Sequence, residues 1–167
     1  STWLYSNARG GLRPGYSTGT ITSFGYRRQD LSPPGPNGLS KNDGEVLISP
    51  TTGLPLNDGV FRVRGDRTVA LSVGTINRIR YKNFNLSFLW DLRLGGDIFN
   101  ATGMYLTTLG KSAKTADRLT PRAVSGVLQD GLENTATPTR NTILVTPYYN
   151  NTYYNSTNMP EEDYMER

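Results

Sequence analysis

The chain has 167 residues, the length of one domain or of part of a larger one, and only 35% of them are apolar, below the ~45–50% usual for a globular domain. It contains no cysteine, which excludes disulfides, cysteine-bound metals and a thiol nucleophile, and no histidine, the commonest general base and metal ligand. The net charge of +4 is mild, and lysines and arginines are scattered rather than grouped, so nucleic acid is not an expected partner. We therefore predict a protein that is not an enzyme, with no catalytic residue, no metal site and no cofactor.

The first 66 residues contain short β-prone segments between loops that are rich in glycine, proline and asparagine. The loop LSPPGPNGLSKNDG disfavours both helix and strand, because proline lacks the backbone N–H that either hydrogen-bond ladder uses. Its NDGE, and LNDG further on, do not match an EF-hand loop, so we interpret both as turns rather than calcium sites. We predict strands over 2–9, 45–49 and 60–66, β-prone pieces within 15–30, and loops over 31–44 and 50–59.

The tripeptide Arg64-Gly65-Asp66 is the motif that some integrins bind. Three residues are too few to be diagnostic, and we interpret this occurrence as a chance turn.

Residues 71–94 carry the longest strand–turn–strand pattern. We predict two antiparallel strands, 71–81 and 84–94, joined by the two-residue turn Lys82-Asn83, with Asn83 able to adopt a positive φ. In this register Thr75 lies opposite Trp90. A shift of one residue would mix apolar and charged side chains on both faces, so the pattern itself fixes the register.

The two faces of this predicted hairpin differ sharply in polarity. One face is apolar and aromatic, and the other carries the charged residues Arg78, Arg80, Asp91 and Arg93. A soluble antiparallel sheet with one face on a core gives the same alternation. Strands of about eleven residues with a wide apolar face also suit a membrane-spanning barrel, as does a tight turn at one end with long glycine-rich loops at the other. We expect the apolar face to contact lipid, detergent or another subunit; its second strand contributes Phe84, Leu86, Phe88, Trp90 and Leu92.

The region after the hairpin is predicted to be mostly loop with one short helix. Asn100 or Thr102 can cap a helix over 103–109 that ends at Gly110, and short strands are predicted within 123–131 and 141–147. On an external loop, tyrosine rings could stack on sugars or peptides or pack on a partner, although packing against neighbouring loops is the simpler alternative. The tail carries four such tyrosines: Tyr148, Tyr149, Tyr153 and Tyr154.

Several of these segments resemble the SusC/RagA family of TonB-linked outer-membrane transporters. The resemblance is carried by GTINRIRYKNFNLSFLWDLRLGGDIFN, LTTLGKSAKTADR and GVLQDGLENTATPTRNTILVTPYYN, and upstream by STGTITSFGYRRQD, GEVLISPTTGLPL and FRVRGD. It implies an all-β fold: antiparallel strands of a partial outer-membrane β-barrel with long extracellular loops and one short helix. Residues 1–167 would then be a fragment of one barrel domain without its plug, with 71–94 as the membrane hairpin and 95–167 mostly extracellular loop.

The resemblance also implies a function in nutrient uptake across the bacterial outer membrane. The ligand would be an oligosaccharide or an oligopeptide, and the partners a SusD-like surface lipoprotein, the TonB complex through parts absent from this chain, and outer-membrane lipid. Arg78, Arg80, Asp91, Arg93 and the four tail tyrosines are the candidate ligand-binding residues. The alternative is a soluble β-rich binding or adhesion module, which would be a monodisperse monomer without detergent.

Overall fold

The structure, a computed structural model, describes residues 2–5, 8–36, 38–146 and 159–166, and only the backbone of 2–5. Its main elements are strands, with one α-helix, α1 (Ala101–Thr108), and short 3-10 helices at Ala113–Thr115 and Glu161–Tyr164. The all-β fold class is therefore correct. The strands are β1 (Thr2–Tyr5), β2 (Ala8–Gly10), β3 (Thr20–Ser23), β4 (Leu47–Ile48), β5 (Arg62–Asp66), β6 (Leu71–Tyr81), β7 (Phe84–Leu94), β8 (Ile98–Phe99), β9 (Arg122–Ala123), β10 (Val127–Leu128), β11 (Leu144–Val145) and β12 (Met165–Glu166).

The largest sheet is antiparallel and has the strand order β1-β2-β3-β5. The prediction of one strand over 2–9 is wrong, because β1 and β2 are separate strands that pair with each other. A weak alternation of side chains does not distinguish one strand from two short strands that reverse direction.

Four further strand pairs complete the described fold: β6-β7, β8-β12, β9-β11 and β4-β10. The last pair is parallel, whereas only antiparallel strands were predicted. Its two members lie far apart in sequence, so no local pattern could reveal the pairing.

The core is formed by side chains from several short elements and not by the long hairpin. Ile21 of β3, Ile48 of β4 and Val127 of β10 are fully buried, and Met104 of α1 and Tyr164 are nearly so. No residue of β6 or β7 is buried. The hairpin therefore projects from a body that has its own core.

Helix α1 begins where the sequence predicts a cap, although its first turn starts two residues before the predicted 103. The side chain of Asn100 accepts a hydrogen bond from the N–H of Gly103 at 2.6 Å, so Asn100 and not Thr102 is the N-cap. Gly110 adopts φ +68° just beyond the helix, as the sequence indicated. No helix in the described part of the chain has the length and apolar character needed to span a membrane.

Candidate functional site: the projecting hairpin and its base

The hairpin β6-β7 has the predicted bounds and the predicted register. Eleven residue pairs run from Leu71–Leu94 at the base to Tyr81–Phe84 at the turn, with Thr75 opposite Trp90. The turn differs in one detail: Lys82 takes the positive φ (+50°), and Asn83 is not among the described residues with positive φ. One positive φ at the first turn position resembles a type II′ turn more than the type I′ turn that asparagine at the second position favours.

One face of the hairpin is exposed and almost wholly apolar, with Thr75 and Asn77 as its polar members. It holds every second side chain of each strand, among them Phe84, Phe88 and Trp90, and Trp90 is 68% exposed. Large exposed apolar faces are rare on soluble monomers, and such faces commonly mark surfaces that contact lipid or another protein. All of its residues are exposed, so the face does not lie in the chain's own core, and its contact with lipid, detergent or another subunit stays a prediction.

The opposite face brings together the four charged residues that the sequence singled out. The shared register places Arg78, Arg80, Asp91 and Arg93 on one side, away from Trp90. Arg93 Nη2 lies 3.1 Å from Asp91 Oδ2, so Asp91 does pair with an arginine of its own face. Arg78 and Arg80 take part in none of the ion pairs among the described residues. Two cations are therefore available on this face.

Hydrogen bonds close the base of the hairpin and join the segment after β7 to β5. Ala70 N–H donates to the Leu94 carbonyl at 2.9 Å, and Asp97 N–H donates to the Asp66 carbonyl at 2.6 Å. The Asp97 carboxylate accepts the Asp66 N–H at 2.8 Å, which closes a reciprocal pair. A Cβ at Gly65 would lie 3.0 Å from Asp97 Cβ, so this close approach favours glycine there. The Asp66–Asp97 pair thus joins β5 to the chain three residues beyond the end of β7.

The Arg64-Gly65-Asp66 tripeptide is part of this base and not a turn. It lies within β5, and the Arg64 side chain is only 15% exposed. Arg64 Nη1 is 2.8 Å from Glu162 Oε2, so the arginine forms an ion pair within the chain. The interpretation as a chance turn was wrong in its geometry, because the tripeptide is extended within β5.

A largely buried charge cluster, which sequence reasoning missed, joins the segment 159–166 to the body. The Glu162 carboxylate forms two ion pairs, one with Arg28 Nη2 at 3.0 Å and one with Arg64 Nη1 at 2.8 Å. The Tyr26 hydroxyl donates a hydrogen bond to the Asp163 carboxylate. Burial lowers the pKa of Arg64, and Glu162 opposes this shift; an arginine nevertheless stays charged. The local sequence gives no signal for this cluster, because Arg28 and Glu162 are 134 residues apart.

Burial raises the pKa of Asp163, although the Tyr26 hydrogen bond acts in the opposite direction. A carboxyl whose pKa is higher in the folded state stabilises the fold at low pH, and this stabilisation is lost as pH rises through the folded-state value. We expect Asp163→Asn to change the free energy of unfolding least below pH 3.8, the ordinary pKa of an aspartate. As pH rises to 7, the variant protein should become more stable relative to the wild type. Urea unfolding of both proteins between pH 3 and pH 7 measures this difference. A constant difference across that range would contradict the assigned shift.

The remaining candidate residues cannot be placed. Tyr148, Tyr149, Tyr153 and Tyr154 lie outside the described residues. Within the described ranges, no group of three or more acidic residues could hold a metal ion.

No protein-family model matches the chain, and no curated protein matches it.

Proposed function

We propose that this chain forms part of the barrel wall of a TonB-dependent outer-membrane importer of the SusC/RagA type, which takes up oligosaccharides or oligopeptides with a SusD-like surface lipoprotein. The observation that carries the proposal is the exposed apolar face of β6-β7, backed by a charged face on the same two strands. Outer-membrane barrels have this alternation, with lipid on one side of each strand and a wet interior on the other.

The dimensions of the hairpin support this assignment. Each strand has eleven residues. At about 3.3 Å per residue, a strand of that length tilted by about 45° rises roughly 25 Å along the membrane normal, close to the apolar band of such barrels. The turn end carries Tyr81 and Phe84, with the Lys82 ammonium 5.4 Å from the Tyr81 ring centroid. Aromatic rings and lysines are the side chains that favour the boundary between lipid and water.

The unpaired strand edges also support a place within a larger sheet. β6 and β7 pair only with each other among the described strands. A two-stranded hairpin alone is marginally stable in water, and a long exposed edge tends to acquire another strand. In the proposed importer the neighbouring wall strands fill both edges, while the plug and the contact with TonB belong to parts outside this chain.

The alternative is a soluble β-rich binding or adhesion module. It is favoured by the core of Ile21, Ile48 and Val127, which is built without the hairpin. The module would disperse as a monomer without detergent, whereas the proposed wall segment needs detergent, lipid or neighbouring strands to cover its apolar face.

A substitution on the charged face tests the proposed transport function. In the complete importer we expect Arg78→Ala to lower ligand uptake while the barrel stays folded and heat-stable, because Arg78 has no acidic partner in the described chain and is free to meet carboxylates or sugar hydroxyls. Radiolabelled uptake into whole cells and heat-modifiability on gels measure the two properties. Loss of the fold or of plug retention would instead assign Arg78 to a structural ion pair between plug and wall. Normal uptake with a normal barrel would remove Arg78 from the transport path.

A further inference from the structure

A cavity of about 410 Å³ lies where the hairpin leaves the body. Ile21 of β3 forms part of its wall, and the segments on either side of the hairpin, which contain Val69 and Ile98, form others. Most of the lining is apolar, and Val69 and Ile98 are themselves largely exposed, so apolar surface continues outward from the cavity. Its volume lies within the range of about 300–1,000 Å³ that small-molecule sites occupy.

The cavity has one cation at its wall. Arg67 is exposed and belongs to none of the ion pairs among the described residues. Its Nε donates to the Gly19 carbonyl at 3.3 Å, and a Cβ at Gly10 would lie 2.8 Å from its Nη2. The guanidinium therefore lies against the backbone of β2 at Gly10. This contact holds the charge beside the cavity while its Nη groups donate no hydrogen bond within the described chain.

The second charged residue of the lining, Asp97, hydrogen-bonds to the backbone of β5. It is only 8% exposed, and its Oδ2 accepts the Asp66 N–H in the reciprocal pair at the base of the hairpin. The Asp97 carboxylate thus accepts a backbone hydrogen bond, whereas Arg67 is exposed and its charge also interacts with the neighbouring Asp66 carboxyl. The combination of an apolar cavity and one available cation selects a ligand with an apolar chain and an anionic headgroup.

We propose that this cavity binds a single-chain anionic amphiphile, with the apolar chain in the cavity and the headgroup against Arg67. The headgroup could be the carboxylate of a free fatty acid or the phosphate of a lipid, since a guanidinium pairs with both. The proposal does not depend on the transport function, because the cavity and Arg67 belong to the body and the base rather than to the two hairpin faces.

Equilibrium dialysis of radiolabelled decanoate against the full chain, held in a neutral amphipathic polymer, tests the proposal. We expect saturable binding that decyltrimethylammonium, which has the same chain and the opposite charge, does not displace. Arg67→Ala should weaken it about tenfold, the effect of losing one charge-assisted contact. Arg13→Ala removes an equal charge from an exposed site outside the cavity and should leave binding unchanged.

Two further variants test whether the apolar chain of the ligand enters the cavity. Ala101→Leu fills the cavity from the first residue of α1, and Val69→Trp narrows it from an exposed position, so the result does not depend on one variant folding. Each should weaken decanoate binding at least tenfold. A single-chain lysophosphatidate distinguishes the sources: tighter binding than decanoate indicates a lipid, and weaker binding a free fatty acid.

The proposal fails if decanoate does not bind saturably or if the cationic amphiphile competes equally. It fails equally if Arg67→Ala binds like the wild type, or if Ala101→Leu and Val69→Trp, both folded by circular dichroism, bind normally.

Discussion

Phe88→Arg is expected to weaken membrane insertion of the hairpin by about 2–4 kcal/mol, whereas Leu89→Arg should change it by less than about 1 kcal/mol. The two residues are neighbours on β7, and both are exposed. They project to opposite faces near the middle of the eleven pairs, Phe88 to the apolar face and Leu89 to the charged face. If the apolar face contacts lipid, only Phe88→Arg places a charge in hydrocarbon.

Denaturant unfolding of the complete importer from lipid vesicles measures both changes. The pair is well matched, because each variant adds one arginine at nearly the same depth. Equal losses for the two variants, or no loss for Phe88→Arg, would contradict the assignment of the apolar face to lipid.

Glu162→Gln is expected to lower the free energy of unfolding by about 3 kcal/mol, the scale on which removal of one partner from a buried ion pair destabilises a protein. Its carboxylate contacts both Arg28 and Arg64, and the side chains of Glu162 and Arg64 are only 11% and 15% exposed. Arg64 Nε and Nη2 have no hydrogen-bond partner in the described chain, so the charge of Arg64 depends heavily on this carboxylate.

Glu45→Gln is the matched control for Glu162→Gln. Glu45 pairs with Arg140, and both side chains are about half exposed, which limits such a pair to about 0–1 kcal/mol. Urea unfolding gives both values, and limited proteolysis reports whether the segment 159–166 is released from the body. Similar losses in the two variants would show that the cluster around Glu162 does not fasten this segment.

The local features of this fold were predictable from sequence, and the features that depend on distant residues were not. The hairpin register follows from alternation along 71–94, because a one-residue slip would invert both faces. The Asn100 cap is likewise local. By contrast, the pairing of β4 with β10 and the contact of Arg28 with Glu162 join segments that are far apart in the chain.

In the candidate site too, the local features could be predicted from sequence and the features that depend on distant residues could not. The positions of Arg78, Arg80, Asp91 and Arg93 on one face follow from strand parity. The cavity beside Arg67 could not be predicted, because it forms only where β3, the two segments that flank the hairpin, β8 and the start of α1 meet. Its one sequence signal is Gly95-Gly96, whose positive φ values redirect the chain after β7.

The most direct test of the membrane assignment is the accessibility of single spin labels along β7. This chain contains no cysteine, so a cysteine introduced at any position from Phe84 to Leu94 is the only one in the chain that a spin label can modify. In the complete importer in lipid vesicles, we predict an alternation with a period of two. Labels at even positions, including Phe88 and Trp90, should collide with oxygen dissolved in the lipid, and labels at odd positions, including Asp91 and Arg93, with a water-soluble nickel chelate. Equal access of the nickel chelate to both sets would contradict the proposal that this hairpin is part of a membrane wall.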